Sequence, residues 1–218
     1  MSRLKVTFYV DPPGGLCYIE DVEITWLGHS CFKIKGSETT LITDPFSPET
    51  GYDLGQQEAQ IVTLSHARPG HNNAAAIGGD PKILRGPGEY EIGGVLILGI
   101  ATFHDDAEGG DQGKNTVYVY EIDDLTICHL GDIGHLMTTD QLEDVDEIDI
   151  LMIPVGGITT LNAAQAAEQA RKLEPKIVIP MHYATPGHDT DLEPVDKFLA
   201  EFGARETEPQ NKLSLTRS

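Results

Sequence analysis

The sequence contains few cysteines and no pair of them at close spacing. Its 218 residues include only Cys17, Cys31 and Cys128. Three cysteines cannot form a closed set of disulfides, and the missing C-x-x-C spacing excludes a zinc knuckle or a dithiol redox pair. We therefore expect reduced, mostly buried thiols in a cytoplasmic protein.

Basic residues are also scarce. The chain has 15 lysines and arginines against 35 aspartates and glutamates, so its formal net charge is -20. Nucleic acids and anionic membranes are bound through cationic surfaces, which disfavours both as partners. A small-molecule substrate is the expected partner.

Long apolar runs are missing as well. No window approaches the roughly 20 consecutive apolar residues of a membrane span, and the N-terminus lacks the apolar core of a signal peptide. The hydrophobic content of 39% is ordinary for a globular protein. These features predict a single domain over residues 1–218 with one core.

Short β-branched runs, often separated by turns, dominate the chain, and helical patterns occur mainly in its second half. Four helical segments are predicted, at Asn72–Ala76, Thr138–Val145, Asn162–Leu173 and Glu193–Phe202. Strands are predicted near Leu4, Leu16, Val22, Cys31, Thr39, Ile61, Lys82, Glu91, Ile97, Thr116, Leu125, Ile148, Ile177 and Lys212. Two packed sheets flanked by helices, a four-layer αββα sandwich of the α+β class, fit this order better than a parallel doubly wound sheet.

The stretch from Ile61 to Asn73 combines a strand with candidate metal ligands. An apolar run ends abruptly in a loop that carries His66 and His71. Loops on a rigid scaffold can bring such side chains to partners from elsewhere in the chain. Taken alone, two loop histidines are more often solvated or hydrogen-bonded than metal-bound.

Other ionisable residues also follow strands. The primary candidates beyond this loop are His104, Asp132 and His182, and the secondary ones are Asp44, His29 and His135. Each could be an ordinary turn residue. Together, imidazoles with one carboxylate are a ligand set that zinc prefers, and an aspartate can bridge two ions, so the set predicts a metal site.

Several segments in this order resemble the metallo-β-lactamase superfamily. The likeness is strongest to its predicted zinc-dependent hydrolases related to L-ascorbate-6-phosphate lactonases. The matching segments are Trp26–Phe32, Leu41–Pro45, Ser65–His71, Phe103–His104, His129–His135, Ile153–Gly157 and Ile179–Tyr183. The resemblance implies the αββα fold and a metal site between its two sheets.

The resemblance also implies residue roles. His66 and His104 would face a first metal, His71 and His182 a second, and Asp132 would lie between the two. Asp44 would orient a ligand imidazole, and His29 and His135 would line the pocket. The family also makes a homodimer an open alternative to a monomer.

The chain departs from the family motif H-x-H-x-D-H at two positions. Arg68 replaces a metal-binding histidine, and Gly70 replaces the aspartate that binds the second metal. A guanidinium cannot ligate a cation. Three outcomes remain open: one ion survives with three protein ligands, Arg68 takes the vacated space beside Asp132, or Arg68 turns outward and both ions are held weakly.

The resemblance thus predicts a hydrolase of a small ester, lactone or phosphoester, with at most one well-bound ion. Zinc is the expected ion and manganese the alternative. With Gly70 in the motif, His135 or Asp44 would have to act as general base. Asp132 is the third predicted catalytic residue. The rival hypothesis is a metal-free, non-catalytic protein that binds a small anionic ligand at Arg68 or associates with a protein partner.

Overall fold

Two six-stranded sheets form the centre of the molecule. A computed structural model describes residues 22–145, 147–189, 191–204 and 210–215. The first sheet has the order β14-β1-β2-β3-β5-β7 and the second the order β13-β12-β11-β10-β9-β8. The strands are β1 Val22–Gly28, β2 Cys31–Lys35, β3 Thr40–Thr43, β4 Gln57–Glu58, β5 Ile61–Leu64, β6 Ile77–Gly78, β7 Lys82–Arg85, β8 Gly88–Ile92, β9 Val95–Phe103, β10 Lys114–Ile122, β11 Leu125–His129, β12 Ile150–Pro154, β13 Ile177–Met181 and β14 Lys212–Leu215.

Side chains of the first sheet alternate between two hydrophobic clusters. Leu41 and Ile61 belong to the large core shared with the second sheet, whereas Ile42 and Val62 pack in a smaller cluster on the outer face. This alternation follows from the two-residue period of a strand. The Thr63 and Tyr120 hydroxyls, 2.7 Å apart, join the two sheets by a buried hydrogen bond.

The second sheet changes from antiparallel to parallel pairing along the chain. β8, β9, β10 and β11 pair as hairpins, whereas β11, β12 and β13 run parallel. All five residues of β12 and of β13 are buried. Such continuous apolar strands are typical of parallel pairs covered on both faces.

Helices cover the second sheet. They are α1 Thr139–Glu143, α2 Ala163–Leu173 and α3 Val195–Phe202. Thr138 and Asn162 start the first two with capping boxes. α2 packs against β12 and α3 through a buried alanine face, which allows close approach. None of the described helices is long and apolar enough to cross a membrane.

The α+β sandwich predicted from the sequence is confirmed, with one difference in its outer layers. The outer face of the first sheet is covered by Phe46, Tyr52 and Ala74 from loops and short 3-10 turns. The helix expected after Asn72 is one of these turns, Ala74–Ala76. Three alanines cannot propagate an isolated helix. The strands predicted near Leu4 and Leu16 lie outside the described residues.

Candidate metal centre

The candidate ligands meet at one edge of the sandwich because each follows the end of a strand. His66 and His71 follow β5, and His104 directly follows β9. Asp132 comes shortly after β11, and His182 directly follows β13. The ends of strands from both sheets therefore bring together residues that are widely separated in sequence.

One carboxylate oxygen is surrounded by imidazoles. Asp132 Oδ2 lies near the Nε2 atoms of four histidines, at 3.1 Å from His104, 3.2 Å from His71, 3.3 Å from His182 and 3.8 Å from His66. All five side chains are at most 7% exposed. Ligand atoms about 2.1 Å from a tetrahedral zinc are roughly 3.4 Å apart, so these spacings match those of metal donors.

Unpartnered polar atoms give an independent test of whether a metal fits. Among the described residues, His66 Nε2 and Asp132 Oδ1 are buried without a hydrogen bond. Leaving such atoms unpaired is energetically costly. Both atom types ligate zinc. The donor set therefore fits the metal that the resemblance implies.

The charges of these groups are strongly coupled. Burial alone would raise the pKa of Asp132, but His182 and His71 hold it well below the usual range. Burial opposes the ionisation of His71, yet Asp132 and Asp44 raise its pKa to about 10. Burial lowers the pKa of His66 to about 4 and that of His182 to about 3. His66 and His182 are thus neutral at pH 7, as metal ligation requires, whereas His71 would release a proton on binding a metal.

Asp44 and Ser65 support the ligands from behind. Asp44 Oδ1 accepts the backbone N–H of Ser65 at 2.7 Å, and Asp44 Oδ2 accepts the Ser65 hydroxyl at 2.5 Å. The same Oδ2 lies 3.1 Å from His71 Nδ1, and Ser65 Oγ lies 2.9 Å from His66 Nδ1. Sequence reasoning missed Ser65, although its position directly before His66 was a usable signal.

Asn115 and Gly131 hold the loop of Asp132. Asn115 Oδ1 accepts the backbone N–H of Asp132 at 3.0 Å, and its amide donates to Leu130 O at 2.9 Å. Gly131 has φ 57°, and a Cβ there would lie 2.5 Å from both Asn115 Oδ1 and Ser65 Cβ. Glycine therefore allows the turn and the close approach that aim Asp132 inward.

Arg68 turns away from the carboxylate. Its guanidinium donates to the Gln112 side chain and, at 3.4 Å, to Gln112 O. Arg68 is exposed, whereas Asp132 is 2% exposed. Arg68 is therefore directed outward, and the predicted pairing of Arg68 with Asp132 is wrong. The number of ions that the centre holds stays a prediction.

His135 lies apart from the ligand cluster. Its Nε2 accepts the Phe103 backbone N–H at 3.2 Å, and its Nδ1 donates to Leu136 O at 2.8 Å. Both ring nitrogens therefore contact the backbone, so this histidine has no free nitrogen with which to accept a substrate proton.

His29 lies inside the cluster. Its Nε2 is 3.1 Å from His71 Nε2, and its Nδ1 is 3.0 Å from Asp189 Oδ2. Burial raises the pKa of Asp189, but the contributions of His29, Tyr52 and His182 together outweigh it and the net shift is downward. Sequence reasoning missed Asp189, which no motif or spacing connects with His29.

Four residues of this centre have backbones in the left-handed region. The φ angles are 52° for His29, 39° for Asp44, 51° for His182 and 50° for Asp189. Such conformations are unfavourable for residues other than glycine and persist where surrounding structure enforces them, often at functional sites.

A pocket opens next to His66. Its volume is about 760 Å³, and its walls include Arg68, Arg85 and Lys114 beside the apolar Phe103. Three cations around one pocket contrast with the chain's formal charge of -20. The pocket is therefore suited to a small molecule that has both an apolar and an anionic part.

Comparisons with known proteins agree with this geometry. A model of the beta-lactamase superfamily domain matches residues 23–182. A UPF0173 metal-dependent hydrolase of Thermoplasma volcanium is 31% identical over 76% of this chain and 85% of its own. One from Methanoculleus marisnigri is 29% identical over 75% and 82%. A solved structure from Thermotoga maritima, described as a Zn-dependent hydrolase of the metallo-beta-lactamase superfamily, matches with a TM-score of 0.77. The two sequences are 40% identical, and the match covers 89% of this chain and 92% of the other.

Proposed function

This chain belongs to the metallo-β-lactamase superfamily, and we propose that it is a metal-dependent hydrolase of a small anionic ester, lactone or phosphoester. The observation that carries the proposal is the buried Asp132 carboxylate with four imidazole nitrogens within 3.8 Å. A buried charge with several imidazoles around it is costly unless it is paired or coordinates a metal.

The residues that would hold the functional ion are His66, His104 and Asp132. One donor atom from each lies within 4.8 Å of the others. Because Arg68 is turned outward, this set keeps three protein donors, which is the number found in catalytic zinc sites. When bound, zinc acts as a Lewis acid and lowers the pKa of water toward about 7. Zinc is the proposed ion, with manganese as the alternative.

The other residues of the centre position these ligands. Ser65 contacts His66 Nδ1 and so leaves Nε2 for the ion. Asp44 is 1% exposed and its carboxylate is engaged by Ser65 and His71. We therefore assign Asp44 to orienting ligands rather than to accepting a substrate proton.

The pocket beside His66 supports the proposed substrate class. Its volume of about 760 Å³ suits a small molecule. Arg68, Arg85 and Lys114 would attract a carboxylate or phosphate, and Phe103 offers an apolar surface. The strongly acidic remainder of the chain weighs against RNA or DNA as substrate.

Metal analysis and hydrolysis assays test this proposal together. Purification without chelator should yield about one or more zinc or manganese ions per chain. Removal of the metal should abolish hydrolysis of small lactones, carboxyl esters and phosphoesters, and zinc should restore it. Zinc at 100 times its Kd should stabilise the apoprotein by about 2.7 kcal/mol, which raises Tm by roughly 5–10 °C.

The rival hypothesis, a metal-free binding protein, makes the opposite prediction. It requires no bound metal, no change of Tm with zinc, and binding of small anions that does not depend on zinc. That combination of results would refute the proposed hydrolase.

A further inference from the structure

A second group of donors lies beside the first. The family motif has an aspartate where this chain has Gly70. Judged from the sequence alone, the second metal site therefore lacks one ligand. The structure contains a side chain at that place. A Cβ built on Gly70 would lie 3.2 Å from His29 Nε2 and 3.5 Å from His29 Cδ2. The His29 imidazole therefore occupies the space into which a side chain at position 70 would extend.

His29 also has suitable neighbours for ligation. Its Nε2 is 3.1 Å from His71 Nε2, and its ring centroid is 4.4 Å from that of His182. Ligand atoms of His29, His71 and His182 lie within 4.8 Å of one another, and all three residues are buried. Asp132 Oδ2 is 3.2 Å from His71 Nε2 and 3.3 Å from His182 Nε2, so a carboxylate is close to the same group.

Asp189 holds the His29 ring in this orientation. The contact of Asp189 Oδ2 with His29 Nδ1, at 3.0 Å, leaves Nε2 directed at the other imidazoles. Asp44 contacts His71 Nδ1 at 3.1 Å in the same way. A carboxylate behind a ligating histidine fixes its tautomer and ring orientation. His29 thus has the support typical of a metal ligand.

We propose that His29, oriented by Asp189, replaces the carboxylate missing at Gly70 as a metal ligand. His29, His71 and His182 would then hold a second ion next to Asp132. The inference rests on the proposed function only in requiring that the centre binds metal. The inference adds a second ion to the single-ion arrangement. His29, which lies 41 positions before Gly70, would supply one of the two ligands that the motif has lost.

A simpler interpretation assigns His29 a hydrogen bond to His71 and no contact with metal. The two interpretations differ in metal stoichiometry. The full chain, stripped with a chelator, would be titrated with Zn²⁺ by calorimetry and its zinc counted after desalting. We expect two zinc ions per wild-type chain and one per chain of His29→Ala.

Gly70 provides a rescue variant. The φ of Gly70 lies outside the left-handed region that disfavours side chains. Removal of the His29 ring clears the space for a carboxylate at position 70. His29→Ala combined with Gly70→Asp should therefore regain the second zinc. Gly70→Asp alone should not increase the count, because His29 fills that space. His135→Gln, which removes an imidazole outside the cluster, should keep two.

The outcomes separate the two proposals. One zinc in both the wild type and His29→Ala, with equal affinity, would overturn the role of His29 and leave the hydrolase proposal intact. No zinc in the wild type would overturn both. Two zinc ions in His29→Ala would also refute the inference.

A milder variant covers the case in which His29→Ala does not fold. Asp189→Asn keeps the imidazole but replaces the carboxylate that orients it. Loss of such a supporting group typically lowers metal affinity 10–100-fold, so the second zinc should bind 10–100-fold more weakly and the first should be unaffected. Asp191→Asn, an exposed residue of the same loop, is the matched control. Equal second-ion affinities in the two variants would contradict the proposal.

Discussion

Asp44 Oδ2 lies 3.1 Å from His71 Nδ1, and the two side chains are 1% and 3% exposed. The carboxylate thereby fixes which nitrogen of His71 faces Asp132. The position of Asp44 at the end of β3 therefore determines the orientation of His71 in the loop after β5.

Asp44→Asn should weaken metal binding without abolishing the fold. An amide cannot replace the carboxylate toward both His71 and Ser65, so zinc affinity should fall about 10–100-fold and stability by about 1–3 kcal/mol. Calorimetric zinc titration and urea unfolding measure the two effects. Asp53→Asn, on an exposed loop residue, should change neither. Unaltered zinc affinity in Asp44→Asn would show that His71 needs no such support.

Arg68→Ala should leave metal content unchanged, because Arg68 contacts Gln112 rather than the ligand cluster. If Arg68 attracts the anionic part of the substrate, KM should rise by about two- to fivefold, the size of an exposed charge interaction. The comparison needs an anionic substrate and a neutral analogue of the same size. A rise in KM for both, or a change in zinc stoichiometry, would contradict this role.

Gly134→Ala should increase the distance between the ligands His104 and Asp132. A Cβ at Gly134 would lie 2.5 Å from His104 C and from Asp105 N, and these backbone atoms cannot move aside easily. The displaced segment would pull His104 away from Asp132. We expect a loss of about 1–3 kcal/mol in stability and weaker binding of the first zinc. At Gly78 a Cβ would meet the flexible Glu58 side chain, at 3.3 Å, so Gly78→Ala serves as control. Normal zinc affinity in Gly134→Ala would refute the argument.

Stability should decline at alkaline pH, partly because of Cys128. Burial raises the pKa of its thiol to about 12, from 9.0 in an exposed cysteine. Between these values the unfolded chain loses the proton and the native chain keeps it. The unfolded state then binds fewer protons, so the free energy of unfolding falls as pH rises from 9 to 12 and is unaffected by this group below 9.

Cys128→Ala tests the alkaline effect. Burial likewise raises the pKa values of Tyr118 and Tyr120, so both proteins should lose stability above pH 9, with a smaller loss in the variant. Urea unfolding at a series of pH values measures the difference. Parallel curves for the two proteins would mean that the Cys128 thiol ionises equally in the native and unfolded states.

Much of the fold was predictable because strands and helix starts have local causes. β3 and β5 were recognised from short β-branched runs, and α2 from Asn162 followed by an alanine face. At Ala74–Ala76 the sequence predicts a helix, but the structure has only a short 3-10 turn. An alanine run predicts helix whether or not other residues pack against it.

The sequence by itself determined the strand pattern and the residues placed at the strand ends, because two-residue periodicity and turn-forming residues act over a few positions. Only the tertiary structure decided that Arg68 points toward Gln112 and that His29 fills the space beside Gly70. His29 and Asp189 are 160 positions apart, and their contact exists only because packing of both sheets brings their loops together. Distant contacts of this kind depend on the whole packed core, which no local pattern encodes.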